Sequence, residues 1–388
     1  MNTTDLDAEL AELAAAGLTR RRRIVESPCG RRVTVDGREM LNFASNDYLG
    51  LASHPAIAQT MAQGALRWGA GSGASHLVSG HLAPHEVLEN RLAEFLGYDR
   101  TLTFSTGYLA NLAVTPTLAG RGSAVFADKL NHASLIDAMQ LAKAQGAEVR
   151  RYPHNDVGAL ARQLSESAAT TKLIVTDAVF SMDGDLAPLH ELLALAESHD
   201  AWLIVDDAHG FGVLGPQGQG ALAHFGIENH PRILLMGTLG KAAGVSGAFV
   251  AGTHTAIEYL LQRARSYIFT TATPAPIACA LHHSIDLIAS GNTLREQLNA
   301  HITQLQGGLA DFSGGRLLPS LTAIQPLVVG ANQAALDLSQ ALWAQGFWVP
   351  AIRPPTVPAG TARLRISLSA AHTTDDVAAL ISTLKNLA

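Results

Sequence analysis

Ile233-Leu234-Leu235-Met236-Gly237-Thr238-Leu239-Gly240-Lys241 is the stretch on which the reading of this chain turns. A short apolar run ends in Gly-Thr-Leu-Gly-Lys, and a glycine-spaced segment, Ala242-Ala243-Gly244-Val245-Ser246-Gly247, follows it. A lysine in such surroundings has little to solvate its ammonium, so its pKa should fall. A neutral amine can then condense with a carbonyl. The commoner fate of a lysine is an exposed loop. A phosphate-cradling P-loop fails, because it needs a glycine at position 235 and Ser or Thr after the lysine, where Leu235 and Ala242 stand.

The same grammar repeats on either side. Runs at 101–105, 124–127, 173–176 and 202–205 are β-rich and nearly continuous in apolar character, and helical stretches separate them. Such runs fit strands buried on both faces, hence a mostly parallel sheet flanked by helices, an α/β fold. Ligands of such sheets gather beyond the carboxyl ends of the strands. The residues found there are Thr106-Gly107-Tyr108, Asp128 through His132, Phe180 through Gly184, Asp206 through His209, and Thr238 with Lys241.

The flanks are read more coarsely. Asp5 to Gly17 has the spacing of an amphipathic helix with Leu6, Leu10 and Leu13 on one face. Residues 32–35 and 40–43 suggest a hairpin across Asp36-Gly37. Residues 323–329, 347–352 and 363–368 read as further strands, with helices over 332–345 and from Thr373 or Thr374 to the end. The expected division is an N-terminal segment at 1–45, a large α/β domain at 46–284 and a small α+β domain at 285–388. Gly69-Ala70-Gly71-Ser72-Gly73 is not a dinucleotide fingerprint, since His76 stands where its third glycine belongs.

Composition narrows the classes. The chain has 388 residues, 47% hydrophobic and 15% charged, which suits a sizeable core. A net charge of -6 argues against general nucleic-acid binding. No apolar run has the length of a membrane helix, and Met1 to Leu13 does not read as a secretory signal. Cys29 and Cys279 make neither a disulfide framework nor a zinc spacing, so a reduced, cytoplasmic setting is expected.

Asp206 closes an apolar strand, where a carboxylate needs a cation. A protonated aromatic ring nitrogen would serve; a helix cap is the alternative for Asp207. His209 lies one turn on and could donate to a second ring substituent. A metal on Asp206 and His209 lacks an obvious third ligand. His132 could stack on a ring or be an ordinary loop histidine. Arg20 to Arg23 is either a solvated run or an anion contact. Taken together these residues describe a pyridoxal 5'-phosphate site: Lys241 for the aldehyde, Asp206 for the ring nitrogen, and a phosphate cup from Gly107-Tyr108 N–H groups with the Thr238 hydroxyl.

The runs Ser45-Asn46-Asp47-Tyr48-Leu49-Gly50, Leu130-Asn131-His132-Ala133-Ser134, Phe180-Ser181-Met182-Asp183-Gly184-Asp185, Asp206-Asp207-Ala208-His209-Gly210 and Thr238-Leu239-Gly240-Lys241 resemble those of the α-oxoamine synthases, over nearly the whole chain and in the family's order. The resemblance implies a fold-type I transferase that joins an amino acid to an acyl thioester with loss of carbon dioxide. Within the family, Val78-Ser79-Gly80, Ser105-Thr106-Gly107-Tyr108 and Arg353 through Pro358 look most like the member that uses L-alanine and a pimeloyl thioester, carried on coenzyme A or a carrier protein. Gly107 stands where glycine-using acetyltransferases usually carry cysteine, and Leu239 replaces a frequent phenylalanine.

By the same resemblance Lys241 is the Schiff-base lysine and general base, Asp206 holds the ring nitrogen, His209 the ring oxygen, and His132 stacks on the ring. Ser181 lines the ring or substrate side, Thr238 contacts the phosphate, Arg365 and Asn46 take the amino acid carboxylate, and Arg21 and Thr356 face the acyl substrate. Family members are dimers with active sites between subunits, so Thr270 and Thr271 are expected to reach the partner's phosphate.

Overall fold

The computed structural model describes residues 3–15, 18–19 and 22–387. Near the N-terminus, β1 (Arg32–Val35) and β2 (Arg38–Asn42) form the expected hairpin. The central sheet is made by β3 (Arg100–Phe104), β4 (Ser123–Asp128), β5 (Glu148–Tyr152), β6 (Thr171–Asp177), β7 (Ala201–Asp206), β8 (Ile233–Thr238) and β9 (Ala248–Gly252). Their spatial order is β3-β9-β8-β7-β6-β4-β5, and β9 alone runs against the other six.

Alternation explains why these runs are so uniformly apolar. On β4, Ala124 and Phe126 enter one core while Val125 and Ala127 enter the other. Leu203 and Val205 of β7 face the first core, and Ile204 faces the second. A strand buried on both faces has no polar face to show, so period-2 patterning vanishes from its sequence. Two strands escape that signal. Glu148-Val149-Arg150-Arg151 of β5 is a half-exposed edge strand whose charges discourage further pairing. The other, Ala248–Gly252, is short and lies in a glycine-rich stretch.

Beyond the long helix Ala275–Ala289, strands β10 (Arg316–Leu317), β11 (Ile324–Gly330), β12 (Phe347–Trp348), β13 (Ala351–Ile352) and β14 (Ala362–Ser367) complete the set. Four of them form a sheet in the order β10-β11-β14-β13. The single strand expected at 347–352 is divided: β12 pairs in parallel with β2 of the hairpin, while β13 pairs with β14. The first and last parts of the chain thus share one small sheet, β1-β2-β12.

The N-terminal helix, Thr3–Ala15, has its leucines on one face as expected, but that face is not buried. Leu6, Leu10 and Leu13 are 47%, 62% and 43% exposed. No helix among the described residues is long and apolar enough to cross a membrane.

Candidate active site

Because β3, β4, β6, β7 and β8 point the same way, their carboxyl ends deliver five loops to one edge of the sheet. Lys241 follows β8. Its Nζ lies 2.8 Å from His209 Nε2. Burial strips the ammonium of water and pulls its pKa from 10.5 to about 8, against the pull of the Asp206, Asp177 and Asp207 carboxylates. The glycines after Lys241 allow close contact: Gly244 has φ +70°, and a Cβ there would lie 2.5 Å from the Leu51 carbonyl carbon.

At the end of β7, Asp206 is buried. Its Oδ2 accepts from Asn111 Nδ2 at 2.7 Å, and its Oδ1 from the Ala208 N–H at 2.9 Å. Asp207 next to it does not cap a helix directly after it, because residues 208–213 form a turn; its carboxyl instead reaches backbone fourteen residues on. It accepts from the Ala221 N–H at 2.7 Å, and burial raises its pKa to about 8. His209 places Nδ1 2.6 Å from the Tyr48 hydroxyl. Burial, then the positive charges of Lys241, Arg365 and His132, push its pKa well down, so the ring is neutral at physiological pH.

His132 begins the helix Ala133–Ala144 and leaves its ring exposed on the open side of the site. Its N–H donates to Asp177 Oδ2 at 2.7 Å, and its Nδ1 pairs with Ser134 Oγ at 2.7 Å. Asn111 joins this side to Asp206, since the same Nδ2 donates to Ser134 Oγ at 2.8 Å. Burial, reinforced by the charge of Asp206, raises the Asp177 pKa well above the usual carboxylate range.

The helix Gly107–Leu118 opens toward the same edge. Thr106 Oγ1 caps the Leu109 N–H at 3.2 Å, which leaves the N–H groups of Gly107 and Tyr108 at the helix mouth for an external anion. A Cβ on Gly107 would lie 3.9 Å from Thr238 Cβ, so Thr238 is a neighbour of the helix mouth.

Arg365, on β14, approaches from the other sheet and is buried. Its Nε donates to the Ser181 carbonyl at 2.6 Å, its Nη1 to Asn46 Oδ1 at 3.1 Å, and its Nη2 to the Tyr48 hydroxyl at 3.4 Å. Tyr48 therefore links the arginine to His209 and, through it, to Lys241.

Of the residues singled out in the sequence, Lys241, Asp206, His209, His132, Gly107, Tyr108, Thr238, Ser181, Asn46 and Arg365 come to this edge. Three do not join its hydrogen-bonded network. Thr356 is exposed on a turn and bonds Arg353 O through its own N–H. Thr270 is half-buried, and Thr271 is exposed and bridges Ser75. Arg21 lies outside the described residues.

Sequence reasoning missed Tyr48, Asn111 and Asp177 as site residues. Asn111 carried a signal, being the one polar side chain in Leu109-Ala110-Asn111-Leu112-Ala113-Val114.

A parallel-stranded sheet with a lysine, a buried aspartate and two histidines at its carboxyl edge defines a fold-type I pyridoxal-phosphate transferase. The chain belongs to the aminotransferase class I and II family, whose model matches residues 38–384. It is 72% identical over 383 residues to the 8-amino-7-oxononanoate synthase of Dechloromonas aromatica (strain RCB), covering 99% of both chains. It is 62% identical to the enzyme of that name from Herminiimonas arsenicoxydans, over 98% of each. Among solved structures, serine palmitoyltransferase from S. paucimobilis with a bound PLP–myriocin aldimine superposes with a TM-score of 0.91 at 32% identity, over 98% of this chain and 96% of that one. The 8-amino-7-oxononanoate synthase of Francisella tularensis gives 0.77 at 32% identity, over 90% and 97%.

Proposed function

We propose that this chain condenses L-alanine with a pimeloyl thioester, releasing carbon dioxide and the thiol and leaving 8-amino-7-oxononanoate, a step of biotin biosynthesis. The observation that carries the reading is the continuous link Lys241–His209–Tyr48–Arg365 in a chain 72% identical to a synthase of that name. An amine for covalent chemistry and a cation for a carboxylate are thereby held in one small volume.

The donor set fits pyridoxal 5'-phosphate. The open helix mouth at Gly107-Tyr108, with Thr238 beside it, suits the phosphate; Asp206 suits the ring nitrogen, His209 the ring oxygen, and His132 the ring face. When bound, the cofactor supplies an aldehyde for the amino group and a protonated ring that withdraws electrons from the adjacent carbon. Asp206, fixed by Asn111 and the Ala208 N–H, keeps the proton on that ring nitrogen.

The Arg365 guanidinium takes the alanine carboxylate, with Asn46 and the Ser181 backbone setting its plane. Lys241 Nζ, with a pKa of about 8, is partly neutral near pH 8 and can take the α-proton and later return one. The alanine α-carbon bonds to the thioester carbonyl carbon as the thiolate leaves. The carboxylate held by Arg365 then departs as carbon dioxide, and Lys241 protonates the carbon left behind.

Thr356 and Arg21 belong to the acyl side of this reading. The functional unit is a cytoplasmic homodimer in which Thr270 and Thr271 serve the partner's phosphate. The exposed leucine face of the N-terminal helix and the exposed Thr271 support it. In this reading residues 1–45 are an N-terminal helix and hairpin segment, 46–284 the large cofactor-binding domain and 285–388 the small α+β domain.

The test is thiol release by the cofactor-loaded protein. Pimeloyl-coenzyme A with alanine should outpace acetyl-coenzyme A with glycine and palmitoyl-coenzyme A with serine by at least tenfold in kcat/KM. Either alternative pair running faster overturns the proposal. Borohydride reduction should fix the cofactor on Lys241 and on no other lysine.

A further inference from the structure

His154 sits outside the site, yet each ring nitrogen faces a carboxylate that leads into it. Its Nδ1 lies 3.1 Å from Asp128 Oδ1, and its Nε2 lies 2.7 Å from Asp185 Oδ2. The ring meets Phe180 edge-on, with centroids 4.4 Å apart. A neutral imidazole can donate to only one of two carboxylates; an imidazolium donates to both. Burial disfavours the charge, but the two carboxylates outweigh it and raise the pKa to about 10.

What those carboxylates hold gives the arrangement its meaning. Asp128 ends β4 and is fully buried. It accepts from the Leu130 N–H at 2.7 Å and from the Asn155 N–H at 2.8 Å, so it shapes the loop that ends in His132. Asp185 closes the 180–185 turn: its carbonyl accepts from the Phe180 N–H at 3.0 Å, and its carboxylate also takes Asn155 Nδ2 at 3.1 Å. That turn is where the second sheet grips the first. Arg365 bonds the Ser181 carbonyl, Arg363 bonds the Met182 carbonyl and Asp183, and Ser320 Oγ donates to the Gly184 carbonyl at 2.8 Å.

We propose that His154 is a positioning residue of the active site, a cationic clip that fixes the His132 loop relative to the Ser181 turn and hence to Arg365. The inference rests on the reading of His132, Ser181 and Arg365 as site residues. His154 touches none of the reacting groups; it sets the spacing between a ring-stacking side chain and a carboxylate-binding one. A misplacement of about 1 Å at such a site can cost up to ~100-fold in rate.

The experiment uses the full-length enzyme with His154→Gln, Asp185→Asn and the double variant. Two quantities are read: kcat and KM for alanine on the cofactor-loaded protein, and amide hydrogen exchange of the ligand-free protein. His154→Gln should lower kcat/KM for alanine by roughly tenfold or more, mostly through KM. It should speed exchange in both the 129–132 and the 180–185 segments. Asp185→Asn, at a one-third exposed position, should speed exchange at 129–132, on the far side of the ring. The double variant should be no worse than the poorer single one, because both changes break one link.

The proposal is overturned if His154→Gln lowers the melting temperature while kcat/KM and exchange at both segments stay as in the wild type. It is overturned equally if Asp185→Asn leaves 129–132 unchanged, a result obtainable even where His154→Gln fails to fold. Should the wild type fail to use alanine and pimeloyl-coenzyme A, the functional reading falls, while the exchange data still report on the clip.

Discussion

The cofactor side of the site and its carboxylate side are built in opposite ways. Asp206 ends a strand, Lys241 and His132 stand a few residues past the ends of theirs, and parallel pairing of β4, β6, β7 and β8 brings those ends together. Arg365, Tyr48 and Asn46 come from β14 and from a loop more than three hundred residues earlier, and meet only when the two sheets dock. Topology secures the first group; packing between parts of the chain secures the second. Damage to the first should therefore appear in the chemical step, and damage to the second in substrate binding.

The largest effect is expected on the cofactor side. Asp206→Asn should retain pyridoxal phosphate within a few-fold of wild-type affinity yet lower kcat by roughly 10²–10³-fold, the usual loss when one charge-stabilising group is removed. Absorbance titration and steady-state thiol release measure the two quantities. An unchanged kcat would break the proposed contrast. On the carboxylate side, Arg365→Lys keeps the charge but loses the planar fork that reaches Ser181 O and Asn46 together. KM for alanine should rise about 10–100-fold, in line with the worth of a charged hydrogen bond, with a smaller fall in kcat.

Tyr48→Phe tests the seam between the two. It leaves His209 Nδ1 and one arm of Arg365 without a partner in a buried setting. A loss of about tenfold in kcat/KM, shared between kcat and KM, is expected. A change confined to one of them would assign Tyr48 to that side alone.

The smallest effect is on stability. The Lys241 pKa is depressed in the folded chain, so the unfolded chain binds more protons and burial of the ammonium costs stability below about pH 8. That cost is relieved as pH rises from about 8 toward 10.5. Lys241→Met should therefore raise the melting temperature of cofactor-free protein at pH 7 by about 2–4 °C, with the gain shrinking across that window. Calorimetry at pH 7 and pH 10 checks the sign. Equal or lower melting at pH 7 would mean that Asp206 and Asp177 compensate the ammonium fully.

The amino-acid sequence alone determined five of the seven strands of the central sheet, the position of Lys241 after its strand, and the pairing of Asp206 and His209 one turn apart. Those features are local: doubly buried strands must be apolar throughout, and a residue's place at a strand end is read from its neighbours. The amphipathic spacing of Leu6, Leu10 and Leu13 was also legible, but not that this face would stand uncovered in the single chain.

Other features needed the tertiary structure. The charged edge strand Glu148–Tyr152 and the antiparallel Ala248–Gly252 carry no strong local pattern; their neighbours in the sheet define them. That Asn111 orients Asp206, that Tyr48 joins Arg365 to His209, and that His154 spans Asp128 and Asp185 all depend on contacts between distant segments. A side chain's partner across such a distance is chosen by how whole elements pack, and no window along the chain contains that information.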